Sequence, residues 1–236
     1  GFLEGEDAIA TVKAFRDMGV QIDGPNEGRV TIHGVGRDGL KAPVAPLYMG
    51  NSGTSMRLMC GILAGQLFDS ELTGDPSLSR RPMRRVSEPL ALLGAIVETS
   101  ADGFPPIKIR GGQTLKGRHI DMQVASAQVK SALLLAGLYA EDETNITEPA
   151  PTRDHTERML QGFGYDVTRD GATASMCGGS RLKARHIDIP SDISSAAFFL
   201  VAASIVPGSN LTLAHVGINP TRIGILEILN LMGADI

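Results

Sequence analysis

The strongest constraint on this chain is that it repeats itself. Leu115-Lys-Gly-Arg-His-Ile-Asp-Met122 returns as Leu182-Lys-Ala-Arg-His-Ile-Asp-Ile189, identical at six of eight positions and 67 residues further on. A fainter echo, Leu40-Lys41-Ala42, stands 75 residues before the first copy. Such a period means that one supersecondary unit is used several times, because a single unit cannot bury its apolar face alone.

A second signal runs in step. Residues Asp7–Ile22, Arg84–Val97, Asp154–Val167 and Arg222–Ile236 each read as an amphipathic helix that closes at a glycine and runs into a short strand. The closing glycines are Gly19, Gly94, Gly164 and Gly233, at intervals of 75, 70 and 69 residues, where a helix ends in the left-handed conformation. Between them lie Ser52–Gly65, Ser126–Tyr139 and Ser191–Val206, which open with small polar residues and continue almost wholly apolar. A helix that is apolar all round is expected to be buried. Arg29–His33 and Ile107–Arg110 alternate as strands do.

The fold class is therefore α/β, with a unit of about 70 residues that holds one inner helix, one outer helix and roughly four strands. Three units could share a core, their inner helices side by side and their N-termini pointing the same way. Free N–H groups and the positive end of the macrodipole would make that rim suited to phosphates and carboxylates. Seven helices make about three and a half units. The first lacks its inner helix and the last lacks everything after its outer helix, so the chain reads as cut at both ends.

Composition narrows the function classes. With 42% hydrophobic and 20% charged residues the chain is globular rather than disordered. Its longest uncharged apolar stretches, such as Phe198–Pro207, are too short to span a bilayer, and no basic stretch followed by an apolar one opens residues 1–236, so nothing in them points to secretion. A net charge of −4 gives no support to nucleic-acid binding, and two cysteines make neither a disulfide framework nor a metal motif. No metal, cofactor, membrane or nucleic-acid partner is expected.

The chemistry-bearing residues sit at helix heads. Gly50-Asn-Ser-Gly-Thr-Ser-Met-Arg57 offers two glycines for close backbone approach and Asn51, Ser52, Thr54 and Ser55 to cap the helix or bind an anion. It lacks the Gly-Lys-Ser/Thr ending of a Walker loop. Ala125-Ser-Ala-Gln-Val-Lys130 opens the second inner helix, where Ser126 either caps or binds, and Gln128 and Lys130 either serve a ligand or are merely solvated. Among Arg80, Arg81, Arg84 and Arg85, Arg81 stands just before Pro82 and is best placed to face a ligand. In Thr152-Arg-Asp-His-Thr-Glu157, Thr152 or Asp154 can cap the helix and Arg153 is free for an anion, while His155 serves as base or as structural partner. Cys60, Cys177, His119 and His186 read as structural.

These stretches, together with Gly74-Asp-Pro, Ser191-Asp-Ile-Ser-Ser195 and Asn219-Pro-Thr-Arg222, resemble the 5-enolpyruvylshikimate-3-phosphate synthase family in order along essentially the whole chain. Ser-Ala-Gln-x-Lys, Arg-x-His-x-Glu and Asn-x-Thr-Arg resemble its class II branch, which is associated with glyphosate tolerance. Gly53 has not become the Ala found in some class II members, so tolerance is not inferred. The resemblance implies an inverse α/β barrel (the enolpyruvyl transferase fold) in which each lobe holds three βαβαββ units. Residues 1–189 would form the first lobe without its N-terminal strand-helix segment, and residues 190–236 the first part of the second.

It also implies a cytoplasmic enzyme of the shikimate/chorismate pathway. Such an enzyme moves the enolpyruvyl (carboxyvinyl) group of phosphoenolpyruvate to the 5-hydroxyl of shikimate 3-phosphate and releases phosphate. Asn51, Gly53, Thr54, Arg81 and Gln128 would bind phosphoenolpyruvate, with Arg57 at the pocket's edge. Ser126, Ala127, Gln128 and Arg153 would hold shikimate 3-phosphate, and Ala127 stands where many relatives have a second Ser. Two other readings stand beside this one: a UDP-N-acetylglucosamine enolpyruvyl transferase, which the class II triplet disfavours, and a non-catalytic repeat-built binding module. The family's Pro-Gly-Ser-Lys-Ser stretch would precede Gly1 and its second-lobe acid, base and cationic residues would follow Ile236. No catalytic residue is therefore assigned within the chain, and its partner would be the remaining half of the enzyme. The purified 236-residue chain is expected to show no synthase activity; a steady-state phosphate-release assay with both substrates that gave normal turnover would overturn this.

Overall fold

The computed structural model describes residues 1–236. The chain opens with helix α1 (Glu6–Asp17) and the antiparallel hairpin of β1 (Gln21–Asn26) and β2 (Arg29–His33). Then follow β3 (Leu47–Tyr48), α2 (Gly53–Ala64), β4 (Ser70–Thr73), α3 (Arg84–Leu92), β5 (Ile96–Glu98) and β6 (Ile107–Arg110). The same order returns as β7 (His119–Asp121), α4 (Ala127–Gly137), β8 (Glu143–Thr147), α5 (His155–Gly162), β9 (Val167–Asp170) and β10 (Thr173–Cys177). Helices α6 (Ile193–Ile205) and α7 (Gly224–Leu231) end the chain.

The two complete units have the same topology. In one sheet the order is β3-β4-β6-β5, in the other β7-β8-β10-β9. In each, the first two strands are parallel and joined through the inner helix, and the remaining pairs are antiparallel. The expected βαβαββ unit is thus present twice, flanked by α1-β1-β2 and by α6 and α7.

The repeated Leu-Lys motif has a definite structural job. The backbone N–H of Lys41, Lys116 and Lys183 donates to the carbonyl of Met18, Leu93 and Phe163, at 2.9, 2.8 and 2.7 Å. Each acceptor directly precedes a closing glycine, and Gly19, Gly94, Gly164 and Gly233 all have positive φ, between 74° and 97°. The motif therefore docks the connection into the next unit onto the end of the outer helix. The glycine closes that helix in the left-handed region that L side chains avoid.

One hydrophobic core of 33 residues runs from Ala14 to Met176 and is filled by α2 and α4. These helices pack closely because small residues face each other: a methyl at Gly61 would overlap the Ala132 carbonyl, and one at Gly65 would overlap the Tyr139 ring. Cys60 is buried here, and burial pushes its thiol pKa up to about 12, consistent with an inert core residue. The third inner helix departs from expectation. In α6 only Ile193 and Ala196 are buried, and Phe198 and Phe199 are 78% and 59% exposed. It packs on α7 rather than beside α2 and α4, so no second layer of this chain covers its apolar face. The second copy of the repeat, residues 182–189, likewise forms no strand, whereas the first supplies β7.

Because the α2–α4 approach leaves no room for a side chain at Gly61, Gly61→Ala should destabilise the fold by about 1–3 kcal/mol. Gly34→Ala, where nothing lies within 4 Å, should be neutral. Denaturant midpoints measure both, and equal midpoints would refute the close-packing account.

Candidate functional site

Packing α2 against α4 brings their N-terminal ends to one rim. Ser52 caps α2 by accepting from Ser55 N–H at 3.1 Å, and Ser126 caps α4 by accepting from Val129 N–H at 3.4 Å. Both serines thus hold their helix heads in place. Gln128 joins the two heads: its Oε1 accepts from Arg57 Nη1 at 2.7 Å and its Nε2 donates to Thr54 Oγ1 at 2.8 Å. Gln128 therefore belongs to the site rather than to bulk solvent.

Beside this bridge, Arg81 Nη2 donates to Asn51 Oδ1 at 2.5 Å, and Asn51 Nδ2 donates to Asp75 Oδ2 at 2.8 Å. Gly53 lies between the two guanidinium groups; a Cβ there would sit 2.9 Å from Arg81 Nη1 and 3.0 Å from Arg57 Nη1. Burial, then the neighbouring Arg85 and Arg81 charges, pull the Arg57 guanidinium below its usual pKa, and its buried Nε has no partner. The rim is thus a concentrated positive field with an unused donor, an arrangement that favours an anion.

On the other side a cavity of about 410 Å³ is lined by Ala125, Ser126, Ala127, Gln128, Thr152, Arg153, Thr221 and Arg222. All four residues expected on this side line it. Arg153 is exposed and makes no ion pair or side-chain hydrogen bond. Thr221 and Arg222, of the Asn-x-Thr-Arg motif, join the site although the sequence-derived residues do not include them. Arg222 is held by Asp192 at 3.1 Å and by Ser194 Oγ, at the head of α6. Asn219 Nδ2 donates to Asp154 Oδ1 at 2.7 Å, which ties this loop to the start of α5.

Three sequence expectations are corrected here. Lys130 is not solvated: it is fully buried, with Nζ 2.9 Å from Glu148 Oε2 and 2.6 Å from Glu157 Oε1. The two carboxylates draw it inward from an otherwise apolar helix. Neither Thr152 nor Asp154 caps α5, because Thr152 donates to Glu148 and Asp154 accepts from Asn219 and Arg158. His155 is not a structural partner; it is exposed and makes no side-chain hydrogen bond. Among the arginines, Arg81 faces the rim as expected and Arg84 and Arg85 are exposed. No group of three or more metal-ligating side chains is present.

Asp75, absent from the sequence-derived site, anchors the loop behind Asn51. Its Oδ1 accepts from Leu78 N–H at 2.6 Å. That bond first, with Asn51 and Arg81 adding to it, holds the carboxyl below its usual pKa against the opposing effect of burial. A depressed carboxylate adds stability above its unfolded pKa, about 3.9, and loses it as pH falls through the folded value. Asp75→Ala should therefore lower the thermal midpoint near neutral pH, and the gap to wild type should close below about pH 4. Melting curves at neutral and acidic pH check this, and a gap of constant size would contradict it.

Comparison with known proteins places the chain. The model of the family described as EPSP synthase (3-phosphoshikimate 1-carboxyvinyltransferase) matches residues 1–236. The chain is 65% identical to the 3-phosphoshikimate 1-carboxyvinyltransferase of Alkalilimnicola ehrlichii and 64% identical to that of Methylococcus capsulatus, each over 236 residues. All of this chain is covered in both comparisons, and 53% and 54% of those proteins. A solved structure of EPSP synthase from Acinetobacter baumannii superposes with a TM-score of 0.92 at 62% identity, over 99% of this chain and 53% of that one. The chain thus spans about half the length of the relatives it matches and has their α/β enolpyruvyl transferase fold. Family match, fold and sequence identity agree over its whole length: the chain belongs to the EPSP synthase (3-phosphoshikimate 1-carboxyvinyltransferase) family.

Proposed function

We propose that this chain forms one wall of a cleft in which the carboxyvinyl group of phosphoenolpyruvate is transferred to the 5-hydroxyl of shikimate 3-phosphate with release of phosphate. The observation that carries this is the Arg57–Gln128–Thr54 bridge, which sets an arginine-flanked helix head beside a second pocket holding the unpaired Arg153. Two anions must meet in this reaction, and the rim offers two adjoining cationic subsites with one side chain common to both.

In this reading phosphoenolpyruvate lies against Asn51, Gly53 and Thr54, with Arg81 on its charge and Arg57 at the edge. Shikimate 3-phosphate lies on Ser126, Ala127 and Gln128, with Arg153 on its phosphate. The acceptor hydroxyl bonds to the substituted enol carbon while a proton adds to the terminal carbon. Loss of phosphate and of a proton then restores the double bond. This chain's share is to hold and align both anions and to face developing charge with fixed dipoles. The groups that move protons are assigned to the rest of the enzyme. We place the lobe boundary near Pro190: the main core ends at Met176, and Ile193, Ala196 and Leu229 lie outside it. We propose a cytoplasmic setting on the family resemblance; the structure adds that no helix is long and apolar enough to cross a membrane.

Calorimetry on the purified chain tests the assignment. Shikimate 3-phosphate should bind and UDP-N-acetylglucosamine should not. Arg153→Ala should weaken shikimate 3-phosphate by about 1.5–3 kcal/mol, roughly ten- to hundred-fold, the worth of a hydrogen bond to a charged group. Binding of the nucleotide sugar instead, or an Arg153→Ala variant of unchanged affinity, would overturn the assignment.

A further inference from the structure

Lys130 is the largest fully buried side chain of the molecule, and nothing in the proposed chemistry uses it. It lies in α4 just beyond Ser126 and Gln128 and points away from the pocket. Its ammonium meets Glu148, the residue directly after β8, and Glu157, in the first turn of α5. It therefore grips both ends of the connection Glu148-Pro-Ala-Pro-Thr-Arg-Asp-His-Thr-Glu157.

That connection has few main-chain ties of its own. Residues 149–154 donate no main-chain hydrogen bond, and two of them are prolines that cannot. What fixes them is side-chain contact, with Asn219 and Arg158 at Asp154 and with the buried cluster elsewhere. Thr152 Oγ1 donates to Glu148 Oε1, and Arg169 lies 3.6 Å from Glu148 and 3.9 Å from Asp154. Ser131 and Thr156 hydroxyls, 2.6 Å apart, give a second tie between α4 and α5. Arg153, exposed on this connection, owes its place at the cavity to these ties.

We propose that Lys130, through Glu148 and Glu157, is a positioning residue that sets Arg153 at the mouth of the cavity beside Ser126 and Gln128. The proposal rests on reading that cavity as the shikimate 3-phosphate subsite. Buried ion clusters are commonly no more stabilising than apolar groups of the same shape, so stability alone is a weak reason for this one. It does supply a fixed geometry. The charges couple the head of α4, which carries Ser126 and Gln128, to the loop that carries Arg153, so the hydroxyl, amide and guanidinium keep one mutual arrangement.

The test compares the wild-type chain with the triple variant Lys130→Met/Glu148→Gln/Glu157→Gln, which keeps the cluster's volume, removes its three buried charges and leaves Arg169 beside Asp154. Amide hydrogen exchange at Glu148 and Arg158, whose N–H groups donate to the Ala172 and Asp154 carbonyls at the two ends of the connection, should speed by about tenfold or more, while α2 and β4 keep wild-type protection. Shikimate 3-phosphate affinity should fall to that of Arg153→Ala, and adding Arg153→Ala to the triple variant should cost nothing further. Phosphoenolpyruvate affinity should be unchanged, a split that a general loss of stability would not produce. If the triple variant does not fold, Glu157→Gln, which leaves Lys130 paired with Glu148, should show the same local exchange increase. Unchanged exchange at Glu148 and Arg158 in whichever variant folds overturns the positioning role. If the wild-type chain binds no shikimate 3-phosphate, the reading of the cavity fails, and the exchange result still decides whether Lys130 fixes the loop.

Discussion

The site depends on how closely α2 and α4 approach. Gly61 against the Ala132 carbonyl and Gly65 against the Tyr139 ring let two apolar helices lie almost backbone to backbone. Only at that separation can Gln128 on one helix reach both Arg57 and Thr54 on the other. Side chains at those glycines would clash with Ala132 and Tyr139 and force the two helices apart. The positive ends of two helices are thereby fused into a single electropositive rim, with Arg57, Arg81 and Arg153 around it.

Around that contact, each unit is tied to the next by the same small device. A lysine N–H caps the outer helix beside a left-handed glycine, three times over, and so docks the onward chain in the same way each time. The repetition is therefore more than an evolutionary trace. It recurs ahead of α2 and α4, whose heads meet at the one anion-binding rim. The device operates again at Lys183, although residues 182–189 do not go on to form a strand. Helix closure is local, whereas strand formation needs a partner alongside.

Much of this was legible in the sequence. Gly19, Gly94, Gly164 and Gly233 announced helix ends, and Arg29–His33 and Ile107–Arg110 announced strands that span those same residues. Ser52 and Ser126 announced helix heads. All of these signals are local, set by backbone conformation and alternation of side chains. Lys130 was misread because a lysine near a helix start usually belongs in solvent. Glu148 and Glu157, 18 and 27 residues further on, are what draw it inward. Asp75 was missed for the same reason, since its value lies in reaching back across α2 and β4 to Asn51, 24 residues earlier.

By itself, then, the sequence determined the repeated α/β unit, the helix ends and the resemblance of its motifs to one enzyme family, because each is written in short-range spacing. Only the tertiary structure decided which polar side chains meet. It joined Gln128 to Arg57 and Thr54, brought Arg222 to the pocket that holds Arg153, and buried Lys130 between two glutamates. It also left the apolar α6 exposed, where composition had argued for burial. The physical reason is common to all four: hydropathy records what a helix can bury, but the neighbour that covers it, or the charge that compensates it, comes from elsewhere in the chain.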